Sequence, residues 1–266
     1  MDGNRGGIMA GNSSHPSFMP LSCPTDQPHD WLCSTRLLDL DDPKLRIQAM
    51  RITQLATTPT RKAVALHDFV KSLPFGCVAG FDHVPAAAVL KAGRGDCHTK
   101  GTLLVAMLRS VGVPARLRFV TLSSAFLKGI IDVPQSTITH AVAEAYLDGR
   151  WIQTDTYVTD SLLEAQAAQL LSQTGGLVGY GIHVRGLHFW DGRHAAHAQY
   201  SVSDPASLPL HDWGVAHDPE HFYSSKAHAQ LALGWLTRAK WMLAAALVNR
   251  RVEQVRTPSR PAGQPV

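Results

Sequence analysis

Cys97, His140 and Asp155 are the residues whose types and order in this chain suit covalent chemistry. A cysteine sulfur attacks an acyl carbon once it has lost its proton. An imidazole can take that proton, and a carboxylate can fix the imidazole's tautomer and support its charge. The cysteine stands where a helix should begin. Gly93-Arg94-Gly95-Asp96 reads as a turn ending in a good capping residue, and the apolar run Leu103-Leu104-Val105-Ala106-Met107-Leu108 follows. Asp96 at the N-cap puts Cys97 at the first helical position. Unpaired backbone N–H groups and the positive end of the helix dipole there favour a thiolate. The Cys97 amide is also a candidate donor to a developing oxyanion. Gly112 and Pro114 end the helix.

A count brings the histidine and the aspartate together. The runs 138–147 and 150–157 flank Asp148-Gly149, a strong two-residue hairpin signal. With that loop, Leu147 lies opposite Arg150, Val142 opposite Asp155 and His140 opposite Tyr157. Side chains of one face repeat every second residue. His140, Val142, Glu144 and Tyr146 therefore share a face with Trp151, Gln153, Asp155 and Tyr157. Asp155 becomes a diagonal neighbour of His140, roughly 7–8 Å away between backbones, a gap that two side chains close. A slip of one residue sends the pair to opposite faces. Glu144, Gln153 and Trp151 are candidates to contact substrate or to support the reacting groups; otherwise Glu144 and Gln153 are cross-strand polar partners. His98 and Lys100, on the first turn after the cysteine, are expected to be exposed or capping groups.

The elements that position these residues follow from caps and periods. Asp42-Pro43 and Thr58-Pro59 each couple a capping residue to a proline at the first helical position, predicting helices over 43–55 and 59–73. Val84-Pro85 opens a short alanine-rich helix that delivers the chain to the glycine turn. Residues 115–122 alternate and read as a strand, and 160–173 read as a helix. From 175 to 226 the chain is irregular and rich in Gly, His, Asp and aromatics, with Trp190-Asp191-Gly192 and His211-Asp212-Trp213-Gly214 reading as turns. Residues 228–256 form a last helix. This divides the chain into a flexible arm (1–35), a catalytic core (36–175), a His/Trp-rich extension with a final helix packed on the core (176–256), and a disordered tail (257–266).

The 266 residues are 45% hydrophobic and 17% charged, enough apolar material for a sizeable core. The formal charge of +4 is scattered. Its densest patch, Arg250, Arg251, Arg256 and Arg260, does not make a nucleic-acid face. No apolar stretch reaches the ~18 residues of a membrane span. The cysteines at 23, 33, 77 and 97 form no CxxC pair, and the first residues lack the apolar run of a secretory signal. Reduced thiols in a cytoplasmic protein are therefore expected. His183, His188, His194, His197, His211, His217 and His221 lie near Asp191, Asp212 and Asp218, but HExxH spacing is absent. These histidines are expected to pack against Trp190 and Trp213, and no metal or other cofactor is expected.

The pieces Gly95-Asp96-Cys97 before an apolar helix, Ser110-Val111-Gly112-Val113-Pro114-Ala115-Arg116, Thr139-His140-Ala141, and Gly149-Arg150-Trp151 with Asp155 occur in that order over about residues 60–160. In combination they resemble the transglutaminase-like superfamily of papain-type cysteine enzymes. Val142 stands where that family often has Trp, and Thr156-Tyr157 where Pro-Thr is common. The resemblance implies an α+β fold, with helices packed on an antiparallel β-sheet and a nucleophilic cysteine at a helix N-terminus. It maps Cys97, His140 and Asp155 onto the family's catalytic triad, with a Cys97 thioester intermediate resolved by water or an amine. The calcium sites of animal transglutaminases are not recognisable, so no calcium dependence is expected. A protein, peptide or acyl-carrier substrate, with or without an amine acceptor, suits such a site. Amide hydrolysis, amine transfer and amide synthesis on carrier-bound acyl groups all remain open. The contrasting reading is a non-catalytic scaffold on the same fold, and its marker, a missing triad residue, is not present.

Overall fold

The computed structural model describes residues 27–225, 228 and 235–257, with backbone alone at 81 and 235–244. Three helices come first: α1 Pro43–Thr53, α2 Pro59–Ser72 and α3 Ala86–Ala92. Two begin as their sequences predict. Asp42 accepts the amides of Lys44 and Leu45, and Thr58 accepts that of Arg61. The next helix, α4 Cys97–Ser110, is the centre of the molecule, and every residue from His98 to Arg109 is buried. A helix so apolar needs cover all round. The first three helices supply it on one side and an antiparallel sheet on the other.

The sheet holds β1 Ala115–Ser123, β2 Thr137–Leu147 and β3 Arg150–Thr154. β2 carries the small buried residues Ala141, Ala143 and Ala145, and α4 packs against β2 and β1. The hairpin register is the one the count gives, with Leu147 opposite Arg150, Tyr146 opposite Trp151 and Glu144 opposite Gln153. The ladder stops at Ala143 opposite Thr154. Beyond it the chain turns, with Val158 N–H donating to Asp155 O at 3.0 Å. Tyr157 therefore does not face His140 across a strand pair.

Helix α5 Ser161–Thr174 follows, capped by Asp160, and beside it lies the two-strand pair β4 Val178–Gly179 and β5 Ile182–His183. The segment read as irregular then supplies the fourth strand of the main sheet. β6 His211–Ala216 pairs antiparallel with β1, giving the order β3-β2-β1-β6. The pairing shifts register between Phe119 and Val120, and Gly214 adopts φ +83. This irregularity hides the strand's alternation in the sequence.

A short helix α6 Pro219–Tyr223 precedes the final helix, Trp235–Arg256. Residues 229–234 of the predicted last helix, residues 1–26 of the arm and 258–266 of the tail lie outside the described residues. The final helix is docked by polar contacts. Asn249 accepts the Cys77 amide at 2.7 Å and donates to the Cys77 carbonyl at 3.1 Å, and Arg256 Nε donates to Asp160 Oδ1 at 3.0 Å. Among the described residues, no helix is long and apolar enough to cross a membrane.

Candidate active site

The glycine turn and its cap set the start of α4. Gly93 adopts φ +64, a left-handed conformation. Gly95 is needed for room instead: a Cβ there would stand 2.5 Å from Thr99 Oγ1. That hydroxyl belongs to a capping box. Asp96 Oδ1 accepts the amides of His98 (3.1 Å) and Thr99 (2.9 Å), while the Asp96 amide donates to Thr99 Oγ1 at 2.9 Å. Cys97 is the first residue of the helix and is half-buried.

Two ties hold this helix end against β2 around His140. The Tyr157 hydroxyl lies 2.8 Å from the Ala141 carbonyl and 3.0 Å from the Cys97 carbonyl. The His98 Nε2–H donates to the Thr139 carbonyl at 3.2 Å. Cys97 and His98 are thus fastened to the residues on either side of His140. His140 itself is fully buried, and its Nε2 lies 3.0 Å from Asp155 Oδ2. With a carboxylate at Nε2, that nitrogen carries the proton, and Nδ1 is the basic nitrogen of the neutral ring. His140 Nδ1 is buried and has no hydrogen-bond partner among the described residues.

Charge in the site is set mainly by burial. Burial and the Asp96 carboxylate push the Cys97 thiol well above its ordinary range, and the amides of Ala141 and His98 only partly offset them. Burial and Asp96 thus work against the free thiolate that the helix end alone would favour. Burial also tends to raise Asp155. The hydrogen bond from His140, the nearby His197 and the Ala198 amide outweigh it and hold the carboxyl below its ordinary value. Asp155 Oδ1 accepts the Ala198 amide at 2.6 Å.

The first turn of α4 differs from its sequence reading. His98 is buried rather than exposed, with Nδ1 3.5 Å from Asp82 Oδ1 and its ring stacked on Tyr223. Burial lowers its pKa against the pull of Asp82 and Asp96. Lys100 is completely buried, and Nζ reaches the carbonyls of Leu73 (2.8 Å), Val158 (2.9 Å) and Lys71 (3.4 Å). Burial pulls this ammonium down to about 7, yet three acceptors match its three N–H donors, so the charged form has every hydrogen placed. Lys71 Nζ holds the same loop, donating to the carbonyls of Thr156 (3.0 Å) and Thr159 (3.2 Å). The cysteine helix and the loop after Asp155 are therefore clamped together by two lysine side chains. A lysine inside an otherwise apolar helix was the signal for this in the sequence.

Glu144, Gln153 and Trp151 share the predicted sheet face but form a cluster of their own. Glu144 accepts Arg116 Nε at 2.5 Å, Arg118 Nε at 2.6 Å and Gln153 Nε2 at 2.9 Å. The Arg116 guanidinium stacks 3.9 Å over the Trp151 ring. These side chains are committed to one another and hold the sheet together. Besides His140, the groups that touch Asp155 come from the segment 196–198, within the stretch that the sequence marks only as irregular. Asp155 N–H donates to Ala196 O and Ala196 N–H to Gln153 O, so this segment runs alongside the end of β3.

The remaining histidines of the His-rich segment pair separately. His183 lies 2.9 Å from Asp204, His194 2.7 Å from Asp191 and His217 2.7 Å from the Cys33 sulfur. Trp190 packs against His67, from α2, while Trp213 does pack against His211 of this segment. Among the described residues, no cluster of three or more His, Cys, Asp or Glu side chains is arranged to hold a metal ion.

The family model of the transglutaminase-like superfamily matches residues 47–156, which contain Cys97, His140 and Asp155. No curated protein matches the chain. Among solved structures, the chain is similar to a candidate cysteine protease from Cytophaga hutchinsonii, with 22% identity and a TM-score of 0.38 over 46% of this chain and 39% of that one. It is also similar to a candidate protease from Parabacteroides distasonis ATCC 8503, with 17% identity and a TM-score of 0.33 over 53% of this chain and 30% of that one. The chain thus spans well under half the length of either structure.

Proposed function

Residues 47–156 belong to the transglutaminase-like superfamily, and on that premise we propose that this protein is a cysteine enzyme acting on an acyl, amide or thioester substrate through Cys97. The observation that carries the reading is the state of His140. It is buried, bonded to Asp155 through Nε2, left with a free basic Nδ1, and flanked on both sides by residues tied to the Cys97 end of α4.

In the proposed cycle, His140 Nδ1 removes the thiol proton as the sulfur attacks the acyl carbon. Burial disfavours a free thiolate, so proton removal by His140 accompanies the attack in this reading. The carbonyl π electrons move onto oxygen, where the Cys97 amide, first in the helix and without an intrahelical acceptor, can donate. The oxyanion collapses, the leaving amine or thiol takes the proton from His140, and a Cys97 thioester remains. Water or an amine then gives a proton to His140 and attacks the thioester. Collapse of that adduct returns the sulfur, which regains the proton. Asp155 holds the Nε2–H tautomer and supports the imidazolium throughout.

Site-resolved mass spectrometry after brief iodoacetamide treatment tests the nucleophile. Exposed Cys33 serves as an internal reference, and Cys77, whose thiol burial pushes up to about 12, serves as an unreactive control. Labelling of Cys97 that is fast in the native chain and slow in His140→Ala supports the reading. Equal labelling in both, together with no acyl adduct from any donor, returns the chain to a scaffold role. A panel of peptide, glutamine-amide and thioester donors, each with and without an amine, then separates hydrolase, amine-transferring and amide-synthesising activity.

A further inference from the structure

Asp155 stands between two imidazoles. Its Oδ2 is 3.0 Å from His140 Nε2 and 3.9 Å from His197 Nδ1. His197 lies beyond the residues matched by the family model, in the stretch alongside the end of β3. Its backbone is fixed at several points. Leu187 N–H donates to the His197 carbonyl at 2.7 Å, His183 N–H donates to the Ala198 carbonyl at 2.7 Å, and Ala198 N–H donates to Asp155 Oδ1 at 2.6 Å. Its ring stacks on Tyr200, with centroids 4.4 Å apart at 21°. The ring is mostly buried, and Nδ1 has no hydrogen-bond partner among the described residues. A buried ring nitrogen left unpaired is unfavourable, and the carboxylate oxygen is the acceptor it faces.

We infer that His197 is a positioning residue for the site: its Nδ1–H, facing the same Oδ2 that His140 engages, and the Ala198 amide on Oδ1 together hold the Asp155 carboxylate. A short rotation of the stacked ring turns the 3.9 Å approach into a hydrogen bond. The carboxylate then has a donor on each oxygen besides His140, and can present Oδ2 to His140 in one orientation. His197 performs this as a neutral donor. Burial keeps its pKa below the ordinary value, and a charged His140 disfavours a second imidazolium beside it. The groups facing it are Asp155, His140 and the Tyr200 ring. This role rests on the proposed function of Cys97 and His140.

The test separates donor from ring. His197→Phe keeps the ring and its stacking but removes the donor, whereas His197→Asn places an amide N–H near the position of Nδ1. The readout is the rate of Cys97 alkylation by iodoacetamide across pH 5–9, followed by site-resolved mass spectrometry. Loss of one hydrogen bond to the Asp155 carboxylate, felt at the sulfur only through His140, corresponds to roughly a three- to tenfold slower rate. His197→Phe is expected to show that loss and a shifted inflection in the pH profile, with Cys33 labelling unchanged, and His197→Asn is expected to recover most of it. In an Asp155→Asn background, His197→Phe is expected to add little, because the two act through one carboxylate.

A His197→Phe profile that overlays the native one, or a loss that adds in full to that of Asp155→Asn, overturns the role of His197. If His140→Ala also leaves Cys97 labelling unchanged, the enzymatic reading falls with it. If His140→Ala slows labelling and His197→Phe does not, only His197 is removed from the site.

Discussion

The hairpin of β2 and β3 carries two buried polar clusters, and they are finished differently. Near the turn, Glu144 takes three side-chain donors, from Arg116, Arg118 and Gln153. At the open end, Asp155 takes two donors, His140 Nε2 and the Ala198 amide, and the imidazoles around it are less complete: His140 and His197 each keep a buried, unpaired Nδ1. Both carboxylates are held below their ordinary values. Burial tends to raise each one, and Arg116 and Arg118 outweigh it at Glu144, as His140 and its neighbours do at Asp155. A saturated cluster has nothing left to offer a ligand and serves to hold strands in register. A cluster with a free basic nitrogen keeps a group in reserve, which is the mark of a site built for chemistry.

The sharpest way to break this contrast is to remove the free base. His140→Ala is expected to slow Cys97 alkylation by roughly 10²–10⁴-fold, the usual worth of a general base. A loss under twofold would erase the distinction between the clusters. The saturated cluster should behave in the opposite way. Glu144→Ala takes the shared carboxylate away from Arg116 and from Arg118, which keeps Asp212 at 2.7 Å, and is expected to lower stability by about 3 kcal/mol, the low end for breaking a buried pair. Urea unfolding measures the loss, and Cys97 alkylation in the folded variant should stay within about twofold of the native rate.

Asp155→Asn is expected to be milder than His140→Ala. A lost hydrogen bond to a charged group is worth ~1.5–3 kcal/mol, or roughly ten- to hundredfold in rate. Kinetics equal to the native chain would remove Asp155 from the site. The smallest effect is in acid. Both carboxyls titrate lower folded than unfolded, so their stabilisation is complete above the unfolded values near 4 and is lost as pH falls through the folded ones. An acid titration followed by circular dichroism should show a transition below about pH 4. Glu144→Gln should make the dependence of stability on pH shallower there, and an unchanged slope would mean that Glu144 is not held low.

What the sequence reveals divides along the same line. Helix starts at Pro43, Pro59 and Cys97 are readable because a cap and the residue after it are neighbours in the chain. The β2–β3 register is readable because Asp148-Gly149 fixes it, and the approach of Asp155 to His140 follows from that register. The turn after Thr154 was not readable, because it depends on Ala196 capturing the Asp155 amide from far along the chain. β6 was hidden for a similar reason: its partner β1 lies some ninety residues earlier, and the register shift and Gly214 blur its period. His98 and Lys100 look like surface groups by type. Their burial is set by elements that only the folded chain brings around α4.

The contact between Ala198 and Asp155 also says something about timing. A growing chain presents the cysteine, the histidine and the aspartate to the cell before it has made the backbone amide that seats the carboxylate. Until synthesis has passed residue 198, the reactive groups exist without their final alignment. A fragment cut at the end of the family match would contain Cys97, His140 and Asp155 and still lack the amide that seats the carboxylate.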